Sequence, residues 1–118
     1  MSEYLFVYGT LRDPAVQLAV LGRYVAGTPD AVKGFALSTV TICDADVIAK
    51  SRETVHRILI ESADPASIVE GVVLSIDSEE LRSADAYETN QYSRVQVDLV
   101  SGKRSWIYVA RSAEKRSL

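Results

Sequence analysis

The sequence predicts a mixed α+β domain in which several strands form a small barrel-like sheet flanked by two short helices. Three observations predict it. The chain has 118 residues and 47% hydrophobic composition, the size of one domain with enough apolar side chain for a single core. Short β-branched and aromatic segments dominate the pattern, and only two segments carry clear helix start signals. No repeat, linker or low-complexity stretch divides the chain, so residues 1–118 read as one domain.

The elements follow in order. Tyr4-Leu5-Phe6-Val7-Tyr8 is β-branched or aromatic almost throughout and too short for a helix, which predicts a strand buried on both faces and ended by Gly9. Asp13 before Pro14 opens a helix over about Pro14–Leu21, with Gly22 as its stop. Residues 32–38, 47–49, 55–60 and 69–76 then read as strands that pair with their neighbours. The breaks between them are Asp44-Ala45-Asp46, Ser51-Arg52-Glu53 and Ala63-Asp64-Pro65. Asp77 and Glu80 have the spacing of an N-cap and its N3 partner, so a second helix starts near Ser78. Val95, Val97 and Leu99 alternate with polar residues, and Ser101-Gly102-Lys103 turns the chain into a last strand at 105–110. The polar tail from about 111 is expected to be loose.

Composition excludes several function classes. Thirteen basic and 16 acidic residues give a net charge of −3 with no long run of either sign, which argues against a nucleic-acid or anionic-membrane surface. One cysteine, Cys43, and one histidine, His56, cannot make an internal disulfide or the usual zinc set, and suit a reducing cytoplasm. The apolar stretch at 4–8 is too short for a signal peptide core or a membrane span, so a soluble cytoplasmic protein is expected. The Gly-Lys-Ser/Thr run of a phosphate loop is absent. His56 lies in an alternating strand pattern, where an edge or surface histidine is expected, and Cys43 beside Asp44 has the wrong surroundings for a nucleophilic thiolate. Asp44 with Asp46 is the only close acidic pair in a loop and reads as a solvated turn, so no metal and no cofactor are expected.

Two features remain. Counting three, four and seven from Leu81 gives Ala84, Asp85 and Glu88 on one side of the second helix, which puts Glu88 on the apolar stripe. An inward carboxylate is expensive unless paired, neutralised or used. Equally, the helix can fray at Thr89-Asn90-Gln91 and let Glu88 swing into water. The other feature is Tyr8-Gly9-Thr10-Leu11, where a buried strand passes through a glycine into a loop that leads to a helix. Such a junction can aim successive backbone N–H groups at one point and let a small carboxylate approach, or Gly9 can simply turn the chain. Tyr8 and Tyr108 are candidates to line a pocket. One inward carboxylate and one nest-like loop suit a reaction in which the substrate brings its own nucleophile.

Three motifs in order, Phe6-Val7-Tyr8-Gly9-Thr10-Leu11, then Val69-Glu70-Gly71 with Ile76-Asp77, then Ala86-Tyr87-Glu88 with Tyr92-Ser93-Arg94, resemble the gamma-glutamylcyclotransferase-like family. The resemblance runs from Tyr4 to about Val109 and is weakest between Thr39 and Ser67. It implies a small β-barrel flanked by helices, with loop and glutamate meeting at one cavity. It further implies that Tyr8, Gly9, Thr10 and Leu11 bind substrate and that Glu88 is the general acid/base. Tyr92 and Arg94 would support the site, Arg94 by propping it or by pairing with a carboxylate such as Asp85. The implied reaction cyclises the glutamyl group of a small γ-glutamyl amine or peptide, releasing 5-oxoproline and the free amine. The chain departs from the family pattern at Val72, Leu74 and Thr89. Val72, Leu74 and the altered middle segment motivate an alternative, a non-catalytic module that binds a small carboxylate or docks a partner. A purely structural interaction protein would keep Glu88 away from any cavity. No motif sets the oligomeric state.

Overall fold

The computed structural model describes residues 2–52, 54–88 and 91–110. The elements are β1 (Ser2–Val7), α1 (Pro14–Leu21), β2 (Thr28–Lys33), β3 (Phe35–Thr41), α2 (Ala45–Ser51), β4 (Val55–Glu61), β5 (Ile68–Asp77), α3 (Ser78–Tyr87), β6 (Tyr92–Asp98) and β7 (Arg104–Ala110). A 3-10 turn at Thr10–Arg12 joins β1 to α1. The α+β class is as expected, with three helices among the described residues where two are expected. Residues 111–118, including the tail expected to be loose, together with Glu53 and Thr89, lie outside the described residues.

Local chemistry accounts for the helices. Asp13 accepts from the Ala15 N–H at 2.8 Å, Pro14 occupies the first turn, and Gly22 ends α1 at φ 83°. At α3 the Asp77 side chain accepts from the Glu80 N–H at 2.7 Å, and Glu80 Oε1 accepts from the Asp77 N–H at 2.9 Å. That is the reciprocal capping box the spacing predicted. Residues 47–49, read as a strand, are instead the middle of α2. Asp44 is its N-cap, accepting from Asp46 N at 2.9 Å, and Asp46 pairs with Lys50 one turn on. Cap and ion pair outweigh the β-branched preference of Val47 and Ile48. The single strand expected at 32–38 is two, because Gly34 at φ 83° turns the chain between β2 and β3.

Growth of the sheet by sequence neighbours holds only in part. β3 pairs with β4, and β6 with β7, both antiparallel. The larger sheet runs β2-β5-β1-β7-β6, with β1 antiparallel to β5 and parallel to β7. β1 is therefore central and buried on both faces in its second half, as predicted. Leu5 and Val7 join the layer formed with α1 and α3, whereas Phe6 and Tyr8 join the layer that contains Leu59 of β4. Gly71 of β5 is required by packing: a Cβ there would collide with the Val7 carbonyl oxygen and stand 2.8 Å from Phe6 Cζ. Val72 is half-buried and Leu74 fully buried in the helix-side layer. No helix among the described residues is long and apolar enough to cross a membrane.

Candidate active site

The chain leaves β1 between the helix layer and the paired strands β3 and β4, and a small pocket of about 20 Å³ opens there. Its wall includes Tyr8, Gly9, Thr10 and Leu11 from the loop, Glu88 from the end of α3, and Tyr92 and Tyr108 from β6 and β7. Carboxylate and loop therefore share one cavity. Val72 and Leu74 are not in that wall.

Glu88 arrives by a route the helical count did not foresee. The helix ends at Tyr87, and Glu88 is its C-cap in extended conformation, φ −71° and ψ 131°, its N–H still donating to the Ala84 carbonyl at 3.0 Å. Glu88 thus stands one residue past the helix, with only its N–H still in helical register. Leaving the helix does not take it into water, because its carboxyl is enclosed by protein although the residue as a whole is only half-buried. Burial, reinforced by the nearby charge of Asp85, pushes that carboxyl from 4.5 up to about 8.

The loop is held at both ends. Arg12 N donates to the Gly9 carbonyl at 3.1 Å and Asp13 N to that of Thr10 at 2.9 Å. The N–H groups of Gly9, Thr10 and Leu11 thus stand at the open start of the turn with no acceptor inside it. Buried Gln17 donates to the Leu11 carbonyl at 2.9 Å and accepts from Val25 N at 2.8 Å, which fixes the loop to α1 and to the chain after it. Thr10 Oγ1 lies 2.7 Å from the Tyr87 hydroxyl, tying the loop to the residue before Glu88. Gly9 has φ −123°, and a Cβ there would come no closer than 4.0 Å to Arg57 Cβ. Packing does not demand the glycine, and the missing side chain lets a ligand approach the backbone closely.

A polar chain backs the pocket. Arg94 grips Asp85 with two hydrogen bonds, Nε to Oδ1 at 2.7 Å and Nη2 to Oδ2 at 3.0 Å, and lies 4.2 Å over the Trp106 ring. The Tyr108 hydroxyl donates to Asp85 Oδ1 at 2.7 Å, and the Tyr8 hydroxyl to the Tyr108 carbonyl at 2.7 Å. The Tyr92 hydroxyl donates to the Arg57 carbonyl at 2.8 Å. Burial pushes the Tyr8, Tyr92 and Tyr108 hydroxyls well above the usual phenol range, helped at Tyr8 and Tyr92 by the Glu88 charge and at Tyr108 chiefly by the bonded Asp85, so all three remain neutral donors. Arg94 touches Asp85 and Trp106 and is absent from the pocket wall.

His56 was expected at an edge or surface and is instead buried, lining the pocket with Nε2 3.0 Å from Ser51 Oγ. The helix that supplies Ser51 is the one read as a strand, so the cover over His56 was invisible to the local pattern. Arg57, beside it, was also missed; its only signal was a cation within the strand. Among the described residues no three metal-ligating side chains converge.

A family model described as gamma-glutamyl cyclotransferase, AIG2-like, matches residues 5–118. The chain belongs to this family. No curated protein sequence matches the chain. A solved structure named gamma-glutamyl cyclotransferase superposes with a TM-score of 0.71 at 19% identity, covering 93% of this chain and 67% of that one. A solution structure of an Arabidopsis thaliana protein gives 0.73 at 23% identity, covering 97% and 65%. A crystal structure of an uncharacterized Homo sapiens protein gives 0.67 at 20% identity, covering 92% and 66%. The chain thus spans about two thirds of the length of these relatives, and at such identities the likeness concerns the gamma-glutamyl cyclotransferase-like fold.

Proposed function

We propose that the protein cyclises the glutamyl group of a small γ-glutamyl amine or peptide, with Glu88 as general acid/base. The observation that carries this reading is a single enclosed carboxyl, raised to about 8, in the same pocket as the open backbone N–H groups of Gly9, Thr10 and Leu11. A carboxyl near that value exchanges a proton with an α-ammonium at little cost in either direction, as a group that must both take and give requires.

The chemistry balances on one side chain. Glu88 takes a proton from the α-ammonium, the freed amine attacks the γ-carbonyl carbon, and the new C–N bond closes the five-membered ring. The oxygen that gains charge is received by the loop N–H groups. Glu88 then protonates the departing nitrogen, and the old amide bond breaks. The α-nitrogen sheds two protons in all and both reach the departing amine, so the carboxyl is regenerated and no water is consumed. Bringing the amine against its own carbonyl supplies the proximity term, which is large for well-oriented intramolecular attack. The neutral tyrosines add no charge to the wall around the carboxyl, and the Arg94–Asp85 pair holds Tyr108 in that wall.

Incubation with a panel of γ-glutamyl amines and dipeptides, with 5-oxoproline quantified by mass spectrometry, tests the reading. Release of 5-oxoproline in step with the free amine supports it. Ligands that raise the melting temperature yet return unchanged after long incubation would establish the binding-module alternative instead.

A further inference from the structure

The proposed reaction divides its work between two segments: the N–H groups of Gly9, Thr10 and Leu11 receive the developing charge, and Glu88 moves the protons. Such a division works only if the two are held at a fixed separation, since misplacing a reacting group by about 1 Å can cost about 10²-fold in rate. Neither segment secures that separation by itself. Glu88 stands past the end of α3 in extended backbone, so its place follows from where the last helical residue, Tyr87, is held. The loop is a single 3-10 turn, and its tie through Gln17 leads to α1 and to Val25.

Tyr87 joins the two. Its hydroxyl lies 2.7 Å from Thr10 Oγ1, across 77 residues of sequence, while its backbone carries straight into Glu88. The residue is buried in the helix-side layer with Leu11, Ile58 and Ala84, and its ring centroid stands 6.3 Å from that of His56. That packing calls for the ring and not for the oxygen, because a phenylalanine would fill the same space. A hydroxyl in an apolar layer is costly unless bonded, and this one meets Thr10. Thr10 and His56 both line the pocket, whereas Tyr87 stands behind its wall and acts on a bound substrate through Thr10. Burial and Asp85, not Tyr87, raise the Glu88 carboxyl.

From this, we infer that Tyr87 is a positioning residue: through the bond between its hydroxyl and Thr10, it fixes the distance between the loop that receives the oxyanion and Glu88. The inference rests on the cyclotransferase reading and adds to it a side chain that works from outside the pocket wall.

Tyr87→Phe keeps the ring and removes the oxygen. With its Tm within a few degrees of wild type, its kcat for 5-oxoproline release should fall about tenfold while KM changes less than about twofold. The rising limb of its pH profile should stay in place, because the surroundings that set the Glu88 carboxyl are untouched. Thr10→Val breaks the same bond from the loop side, so the double variant should lose no more kcat than the worse single one. Should Tyr87→Phe fail to fold, Thr10→Val must show the loss in kcat with an unmoved limb by itself. An unchanged kcat in either folded single variant, a Tyr87→Phe loss carried by KM, a shifted limb, or single losses that multiply in the double variant overturns the positioning role and leaves the cyclotransferase reading standing. If wild type itself releases no 5-oxoproline from a panel of γ-glutamyl amines and dipeptides, the cyclotransferase reading fails and the positioning role fails with it.

Discussion

Replacing Glu88 by glutamine removes one proton equilibrium from the pocket while keeping the side chain's shape. In the folded chain the carboxyl lies near 8 and in the unfolded chain near 4.5. The native state therefore holds a proton that the unfolded state releases throughout that window. A folded value above the unfolded one means that stability is fully present below about pH 4.5 and is lost as pH rises towards 8. At about 1.4 kcal/mol per pH unit, the loss is about 3 kcal/mol by pH 7 and about 5 kcal/mol above pH 8. Glu88→Gln has no such proton to lose. It should match wild type near pH 4, exceed it by about 3 kcal/mol at pH 7, and exceed it by more at pH 9. For a chain of this size that is a rise in Tm of about 10 °C at neutral pH. Urea denaturation of both proteins at pH 4, 7 and 9, with m-values checked for equality, measures it. A stability difference that does not change with pH, or a variant less stable at pH 9, would refute the enclosure of this carboxyl.

Other predictions follow from the same geometry. For wild type, kcat/KM should rise with pH as Glu88 ionises, levelling near pH 8 and falling again as the substrate ammonium deprotonates; a profile flat from pH 6 to 8 would contradict this. Asp85→Asn should loosen the Arg94 clamp and the Tyr108 bond, costing about 1–3 kcal/mol, and should move the rising limb to lower pH because one raising charge on Glu88 is gone. Gly71→Ala should unfold or strongly destabilise the chain, whereas Gly9→Ala should fold normally and lose ligand binding, as thermal denaturation with and without a γ-glutamyl ligand would report. Gln17→Leu leaves the Leu11 carbonyl and Val25 N–H without partners and should cost about 2–4 kcal/mol in denaturant melts.

What the sequence reveals here is what nearest neighbours decide. The helix Pro14–Leu21 is legible because cap, proline and stopping glycine are all adjacent, and α3 because Asp77 and Glu80 cap each other. Residues 47–49 mislead because Val47 and Ile48 favour a strand, while the Asp44 cap and the Asp46–Lys50 pair that prevail read equally well as an acidic turn. Gly34 splits an apolar run whose composition gives no warning. Tertiary placement is harder still. His56 is covered by a helix the local pattern does not show, and Arg57 gains meaning only when the Gly9 loop is folded opposite it. Glu88 is singled out by a period that stops one residue before it; the pocket around it is built from the loop, Tyr92 and Tyr108, which converge from three parts of the chain.

The most direct test of the account is 5-oxoproline release by wild type and Glu88→Gln, side by side, on a γ-glutamyl compound that wild type turns over. With the fold intact, the account predicts a loss of about 10²-fold or more in kcat and little change in ligand affinity. A Glu88→Gln protein that releases 5-oxoproline at a rate near that of wild type would contradict it.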